Sequence, residues 1–245
     1  MSTRTIFSSD SGVVFAKRGI SLSKSYVILG VALSLVGIIL SNLFHALNSL
    51  NLINLTPSTS GPAIESVFPL VGVPIMVLSA LAFTTPVLLL YVYDKNNGVL
   101  EYFLSLGMDQ SDVYRGYLKA ALLLASALVV FEVAVNLGIS LALGGITFIT
   151  LEVSALTPVM AIPDVAFAMI IMMAFSSLQK QRVGSNQPLG IAIGVLIVLP
   201  TYVLPLALPT YAIFIDFLVA GVIVVLSVVS FLLASRLISR EKLLP

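Results

Sequence analysis

The chain has 245 residues, of which 59% are hydrophobic and only 9% are charged, and its formal net charge is +1. A soluble domain has roughly 25% charged residues, so this chain has too little polar surface to cover a water-facing globule. It has no cysteine, which excludes disulfides, thiolate metal sites and cysteine nucleophiles. The near-neutral charge, without any basic run, gives no support to a nucleic-acid partner.

Six apolar windows are each long enough to cross a bilayer, which takes roughly 20 residues. In chain order they cover about 25–44, 69–93, 115–143, 156–178, 188–206 and 210–235. The first window follows a polar N-terminal segment and precedes no small-residue cleavage site, so we expect a retained helix and not a signal peptide. The sequence therefore predicts an all-α fold, in which one transmembrane domain of six helices spans residues 1–245 and lies in a lipid membrane.

Lysine and arginine predict the orientation, because positive residues remain on the cytoplasmic side of a membrane. The seven segments that flank and connect the six windows hold 4, 0, 3, 0, 2, 0 and 3 basic residues in chain order, which places all twelve on alternate sides. We therefore expect a multi-pass protein of the cell (plasma) membrane with both termini in the cytoplasm. The segment 94–114, between the second and third windows, lies on the same side.

The segment 94–119 stands out because it contains seven charged residues in a chain that has few. After a turn signal at Asn96-Asn97-Gly98, apolar residues recur at Leu100, Phe103, Leu104 and Met108, which is the spacing of one helix face. Such a short helix is expected to lie at the membrane surface with its apolar side inward. It is a docking surface for a soluble partner or, alternatively, a solvated connector.

The next helix is predicted to begin where Gly107 breaks the first one. Asp109 or Ser111 is suited to cap it, and Asp112 falls in its first turn, where the helix dipole favours negative charge. Together with Glu101 and Arg115, these side chains are expected to project into the cytoplasm. The segment is thus predicted to be helix, break and helix, with a polar surface at the break.

The stretch TTPVLLLYVYDKNNGVLEYFLSLGMDQSDVYRGYLKAALLL, residues 84–124, resembles the signature region of ABC-2 type transporter permeases. A span ending near a proline runs into a charged patch, then a glycine, a leucine, a glutamate, further leucines, a turn and a basic residue. The matching positions are Pro86, Asp94, Gly98, Leu100, Glu101, Leu104, Ser105, Leu106, Arg115 and Lys119. Val99 departs from the threonine that is common there, and Gly107-Met108 replaces the usual proline turn.

The resemblance implies a type V exporter-like permease fold and a function, the membrane subunit of an ATP-binding-cassette exporter. Such permeases pair with a second permease subunit, as a homodimer or heterodimer, and each binds a separate ABC ATPase subunit. The segment 94–114 would then be the coupling segment that contacts the ATPase. The residues expected to do so are Gly98, Glu101, Leu104, Ser105, Gly107, Asp109, Asp112 and Arg115.

No phosphate-binding loop of the form GxxxxGK[ST] is present, so ATP and magnesium are expected in the partner ATPase and no cofactor in this chain. Catalytic signatures such as HExxH and GxSxG are also missing, and a single histidine does not make a metal site. We therefore expect a protein that is not itself an enzyme. Two alternatives remain open, a secondary carrier or channel and a non-transporting scaffold subunit of a membrane complex.

The third window contains a polar stripe made of Glu132, Asn136 and Ser140, which repeat every four residues on one helix face. An ionisable group at this depth costs roughly 3 kcal/mol or more, so a functional role is the default hypothesis. The stripe is expected to line a substrate path or a subunit interface. The alternative, equally favoured by the sequence, is structural hydrogen bonding between helices with Glu132 protonated.

Overall fold

The chain folds into seven helices in the part that a computed structural model describes, namely residues 11–49, 71–178, 195–196, 198–200, 203–204, 208 and 211–237. In chain order the seven helices are α1 (Ser11–Leu22), α2 (Lys24–Ser49), α3 (Gly72–Asn96), α4 (Val99–Ser105), α5 (Gln110–Ala142), α6 (Phe148–Leu178) and α7 (Ala212–Leu237). No strand occurs among these described residues. The all-α prediction is confirmed.

Five of these helices, α2, α3, α5, α6 and α7, are long and apolar enough to cross a membrane. They coincide with the first, second, third, fourth and sixth predicted windows, and the chain therefore has the architecture of a multi-pass membrane protein. The predicted fifth window, 188–206, lies largely outside the described residues. α5 begins five residues before its predicted window, with a polar first turn from Gln110, and α6 begins eight residues before its window, at Phe148.

The chain crosses back and forth, so the bundle has two ends that differ in composition. One end, here called the Asp94 end, contains α1, α4, the end of α3 and the start of α5. The opposite end, here called the Glu152 end, contains the end of α5 and the start of α6. All Lys and Arg residues within the described helices lie towards the Asp94 end, namely Lys17, Arg18, Lys24, Lys95, Arg115, Lys119 and Arg236.

Helices α2 and α3 approach each other closely because glycine replaces a side chain at their contacts. A Cβ atom added to Gly30 would lie 2.8 Å from the Cα of Phe83, and one added to Gly37 would lie 3.1 Å from the carbonyl oxygen of Gly72. Helix association in lipid depends on such close packing, since lipid tails are as apolar as the side chains. The pair α2–α3 thus forms a tight wall on which the remaining helices assemble.

Candidate functional site: the Asp94 end of the bundle

Helix α4 has the predicted apolar face, and that face packs on the core of the protein. Leu100 is buried in the core, and Phe103, Leu104 and Met108 are half-buried against it. The reason is α1, which the sequence did not place here: the ring of Phe15 lies edge-on to that of Phe103, with centroids 6.4 Å apart. The apolar side of α4 thus faces inward, as predicted, and the position of α4 at the membrane surface stays a prediction.

Two glycines set the direction of α4. Gly98 has φ +71° and Gly107 has φ +79°, a left-handed conformation that side chains with a Cβ rarely adopt. These turns separate α4 from α3 and from α5, and backbone bonds close them, as Gly107 N–H donates to the Leu104 carbonyl over 3.0 Å. The predicted break at Gly107 is therefore confirmed as a turn.

The start of α5 follows the prediction in position but not in its cap. Asp109 occupies the extended position before the helix, yet its side chain makes no capping hydrogen bond. Its carbonyl accepts from the Asp112 amide over 2.9 Å. Asp112 and Arg115 form a weak ion pair, with 3.8 Å between nitrogen and oxygen and side chains 51% and 66% exposed. Asp109 and its neighbours are thus left facing solvent.

A half-buried ion pair, in which the Arg18 side chain is 40% exposed, fixes α1 to the start of this segment. Arg18 donates to both carboxylate oxygens of Asp94, over 2.8 and 3.0 Å. Tyr117 on α5 donates its hydroxyl to the same carboxylate over 2.6 Å. Asp94 itself is fully buried. A two-pronged guanidinium bond is among the strongest pairings available to a carboxylate, so three helices are joined at one residue.

Aromatic packing continues this junction towards α4. The ring of Phe15 stacks on Tyr117 with centroids 4.3 Å apart, and Tyr91 lies edge-on to Tyr117 at 5.3 Å. Phe15 therefore contacts α4 on one side and α5 on the other. Phe15 thus links α4 to Tyr117, and Tyr117 in turn belongs to the Asp94 junction between α1, α3 and α5.

The outward side of the segment combines polar and apolar groups. Besides the predicted Ser105, Asp109, Asp112 and Arg115, the exposed residues include three that the sequence prediction omitted: Tyr93, Tyr102 and Leu106, which are 51%, 61% and 51% exposed. Large apolar groups next to charges are typical of protein interfaces. For Tyr102, its position off the apolar face of α4 was the available signal. Together these seven residues are here called the outer face of the segment.

A groove of about 530 Å³ lies beside the outer face, between the start of α5 and the ends of α6 and α7. Asp109 and Arg115 line its polar side, while Met173, Phe231 and Leu232 line its apolar side. The groove shows that α6 and α7 end at the Asp94 end, so these two helices run in the same direction. The groove also extends the surface of polar and apolar groups from the segment 94–114 onto α6 and α7.

The predicted polar stripe of α5 lies in the core of the bundle. Glu132, Asn136 and Ser140 are all buried. The Asn136 side-chain oxygen accepts from Ser41 over 2.9 Å and from Asn42 over 2.7 Å, both on α2. The Asn136 amide group donates to Ser154 on α6 over 3.1 Å. The stripe is therefore hydrogen-bonded to neighbouring helices of the same chain.

The remaining members of the stripe have comparable partners. Ser140 donates to the side-chain oxygen of Asn42 over 2.8 Å and lies 3.2 Å from the Thr150 hydroxyl. Glu132 accepts a hydrogen bond from Ser79 on α3. This geometry favours structural bonding between helices, while a role in a substrate path stays a prediction.

Neither family models, curated proteins nor solved structures give a match to this chain. Within the described helices no group of three or more histidine, aspartate or glutamate side chains is arranged to hold a metal ion.

Proposed function

We propose that this chain is the membrane-spanning permease subunit of an ATP-binding-cassette exporter, driven by a separate ATPase subunit that docks on the outer face of residues 94–114. The proposal rests on one observation above all. The short helix α4 packs through Phe103 on α1, next to the Asp94 junction that joins α1, α3 and α5, and the segment 94–114 presents charged and aromatic groups on its outer side.

This anchoring supports a segment that transmits motion to the long helices and does not merely connect two membrane spans. A solvated connector needs no buried ion pair and no aromatic stack, whereas a lever must be rigidly attached to the parts that it moves. Asp94, Arg18 and Tyr117 attach the segment to α1, α3 and α5. In the proposed mechanism, closure of the ATPase pair pushes α4, and the motion passes through this junction to the long helices.

The outer face supports a protein partner. Exposed tyrosine is enriched among residues that dominate protein interfaces, and Tyr93 and Tyr102 are both available. The acidic groups Glu101, Asp109 and Asp112 favour a partner with basic residues at the contact. The clustering of described lysines and arginines near this end is what the positive-inside rule expects of a cytoplasmic side, where a soluble ATPase would be.

The experiment is purification of the chain from its native membrane, followed by assay of ATP hydrolysis and transport with charge-reversed variants. We expect a P-loop ATPase to co-purify in a fixed ratio, and we expect Glu101→Lys with Asp112→Lys to separate ATP hydrolysis from transport. The control is Lys17→Glu, a reversal of charge on α1. Unchanged coupling in the double variant would contradict the proposal.

A secondary carrier is the second candidate, and buried carboxyl groups in α6 and α7 favour it. The two functions differ in their energy source. Transport that an ionophore abolishes but ATP depletion does not would support the carrier, whereas the reverse supports the exporter. A scaffold subunit would show neither a stoichiometric ATPase nor any flux.

A further inference from the structure

Helix α1 has one side in the core of the bundle and one side that is exposed. Phe15 and Ala16 are buried, whereas Val13 and Val14 are 51% and 61% exposed. Lys17 follows these two valines by four and three residues, so it lies on the same side of the helix, and it is also exposed. The exposed side of α1 therefore combines apolar groups with a positive charge.

Two glycine contacts show how α1 is placed on the bundle. A Cβ added to Gly12 would lie 3.2 Å from the Cβ of Lys119 on α5, and one added to Gly19 would lie 3.1 Å from the carbonyl oxygen of Pro86 on α3. Lys119 comes nine residues after the start of α5, and Pro86 ten residues before the end of α3. Both contacts are thus about 14 Å from the helix ends, at 1.5 Å per residue. Helix α1 therefore lies across the bundle at nearly one level.

This level matches the boundary of a bilayer. The part of α5 beyond α1, residues 120–142, is about 35 Å long, close to the roughly 30 Å of hydrocarbon that a span must cross. Helix α2 begins two residues after α1 ends, and its apolar residues Ile28 and Leu29 are 70% and 47% exposed. The exposed side of α1 is therefore continuous along the chain with an exposed apolar part of a membrane span.

Three exposed lysines accompany α1 along its length. Lys119 lies beside its start, Lys17 is in its middle and Lys24 comes two residues past its end. The acid that α1 contacts, Asp94, is fully buried and is bound by Arg18. The charges of the lysines therefore remain for another partner. Lysines beside exposed apolar groups at a bilayer boundary are typical of helices that lie in the headgroup region.

We propose that the exposed side of α1, together with Lys24 and Lys119, binds the phosphate headgroups of anionic lipids. Lysine attracts such headgroups electrostatically, while the valines enter the boundary of the acyl chains. A lipid suits this surface better than a soluble protein does, because α1 lies at the bilayer boundary and leads directly into a span. This proposal concerns lipid binding alone and does not depend on the docking of an ATPase. Since Arg18 on the same helix binds Asp94, bound lipid would hold the Asp94 junction at the membrane surface.

The test uses tryptophan fluorescence, because the chain contains no tryptophan and Val14→Trp gives a single reporter on α1. The full chain is placed in nanodiscs of phosphatidylcholine and phosphatidylglycerol, in which one of the two lipids carries brominated acyl chains that quench the fluorescence. We expect brominated phosphatidylglycerol to quench more strongly at equal mole fraction. Adding Lys17→Gln should lower this preference roughly fivefold, whereas Lys17→Arg should keep it. Val130→Trp, at an exposed position far along α5, is the control and should be quenched equally by both lipids.

Three results would overturn the proposal. If neither brominated lipid quenches Val14→Trp although both quench Val130→Trp, this side of α1 is in water or covered by a protein. If the two lipids quench Val14→Trp equally, the surface does not recognise a headgroup. If inorganic phosphate in place of chloride, at constant ionic strength, abolishes the preference, the ligand is free phosphate and not a lipid. Val13→Trp is a second reporter on the same side, and an unchanged unfolding transition shows that each variant is folded.

Discussion

Asp94 is the residue on which the end of the bundle depends. It is a fully buried carboxylate held by Arg18 and Tyr117, which lie on two other helices. Removing one partner of an ion pair destabilises a fold far more than replacing both partners by apolar side chains, because the remaining buried charge is left without a partner. We therefore treat this junction as the main fixed point between α1 and the long helices.

Arg18→Ala is expected to destabilise the folded chain by roughly 3 kcal/mol, because it leaves the Asp94 charge buried with only the Tyr117 hydroxyl. Equilibrium unfolding in mixed micelles measures this. The control is Arg115→Ala, since its ion pair with Asp112 is long and exposed and should change stability little. Equal effects of the two variants would show that the Arg18 contact is no stronger than a surface pair.

A second prediction concerns Asn136, which forms hydrogen bonds with Ser41, Asn42 and Ser154. Interhelical hydrogen bonds in membranes average about 0.6 kcal/mol, so loss of three should destabilise the chain by about 2 kcal/mol. We expect this of Asn136→Ala in the same unfolding assay, with the exposed Ser105→Ala as control. An unchanged stability with lost transport would instead assign Asn136 to a substrate path.

At the scale of the elements, the long helices could be predicted from hydropathy. A helix that crosses a bilayer needs a long apolar run, and the sequence shows these runs directly. The break at Gly107 was predictable because glycine readily adopts the left-handed backbone conformation that this turn requires. The position of α1 could not be predicted from the sequence, because the ion pair of Arg18 with Asp94 joins residues 76 apart and depends on how whole helices pack. For the same reason the contact of the apolar face of α4 with Phe15 could not be predicted from the sequence.

Close packing of α2 on α3 predicts a strong effect from a single methyl group. Gly30→Ala places a Cβ 2.8 Å from the Phe83 backbone, so the two helices must separate. We expect a loss of stability of about 1–3 kcal/mol. Gly138→Ala is the matched control, because open space surrounds that helical glycine. It should be neutral or slightly stabilising in the same unfolding assay, owing to the better helix propensity of alanine.

If an ATPase docks on the outer face, as proposed, Tyr102 on α4 should be its main contact. Tyr102→Ala removes a ring that is 61% exposed and whose centroid lies 6.4 Å from that of the adjacent Phe103, so folding should be little affected. Truncation of a central interface tyrosine typically costs about 2 kcal/mol or more, which is a loss of affinity of roughly thirtyfold. Binding of the purified ATPase subunit to the chain in nanodiscs measures it. Val130→Ala, at an exposed apolar position far along α5, should bind normally.

At the scale of the whole molecule, the charges divide the bundle between its ends. Described basic residues lie towards the Asp94 end, while the Glu152 end carries acidic groups in α6 and α7. Cations resist translocation, so this division predicts which end faces the cytoplasm. The proposed docking of a soluble ATPase requires that same end to be inside the cell.

The decisive measurement is single-cysteine labelling in intact cells, for which the chain is suited because it contains no cysteine. A membrane-impermeant thiol reagent should fail to label Asp109→Cys until the cells are permeabilised, and should label Ile146→Cys, in the turn before α6, from outside. Labelling of Asp109→Cys in intact cells, with Ile146→Cys protected, would put α4 on the outer surface and contradict the proposed contact with an ATPase.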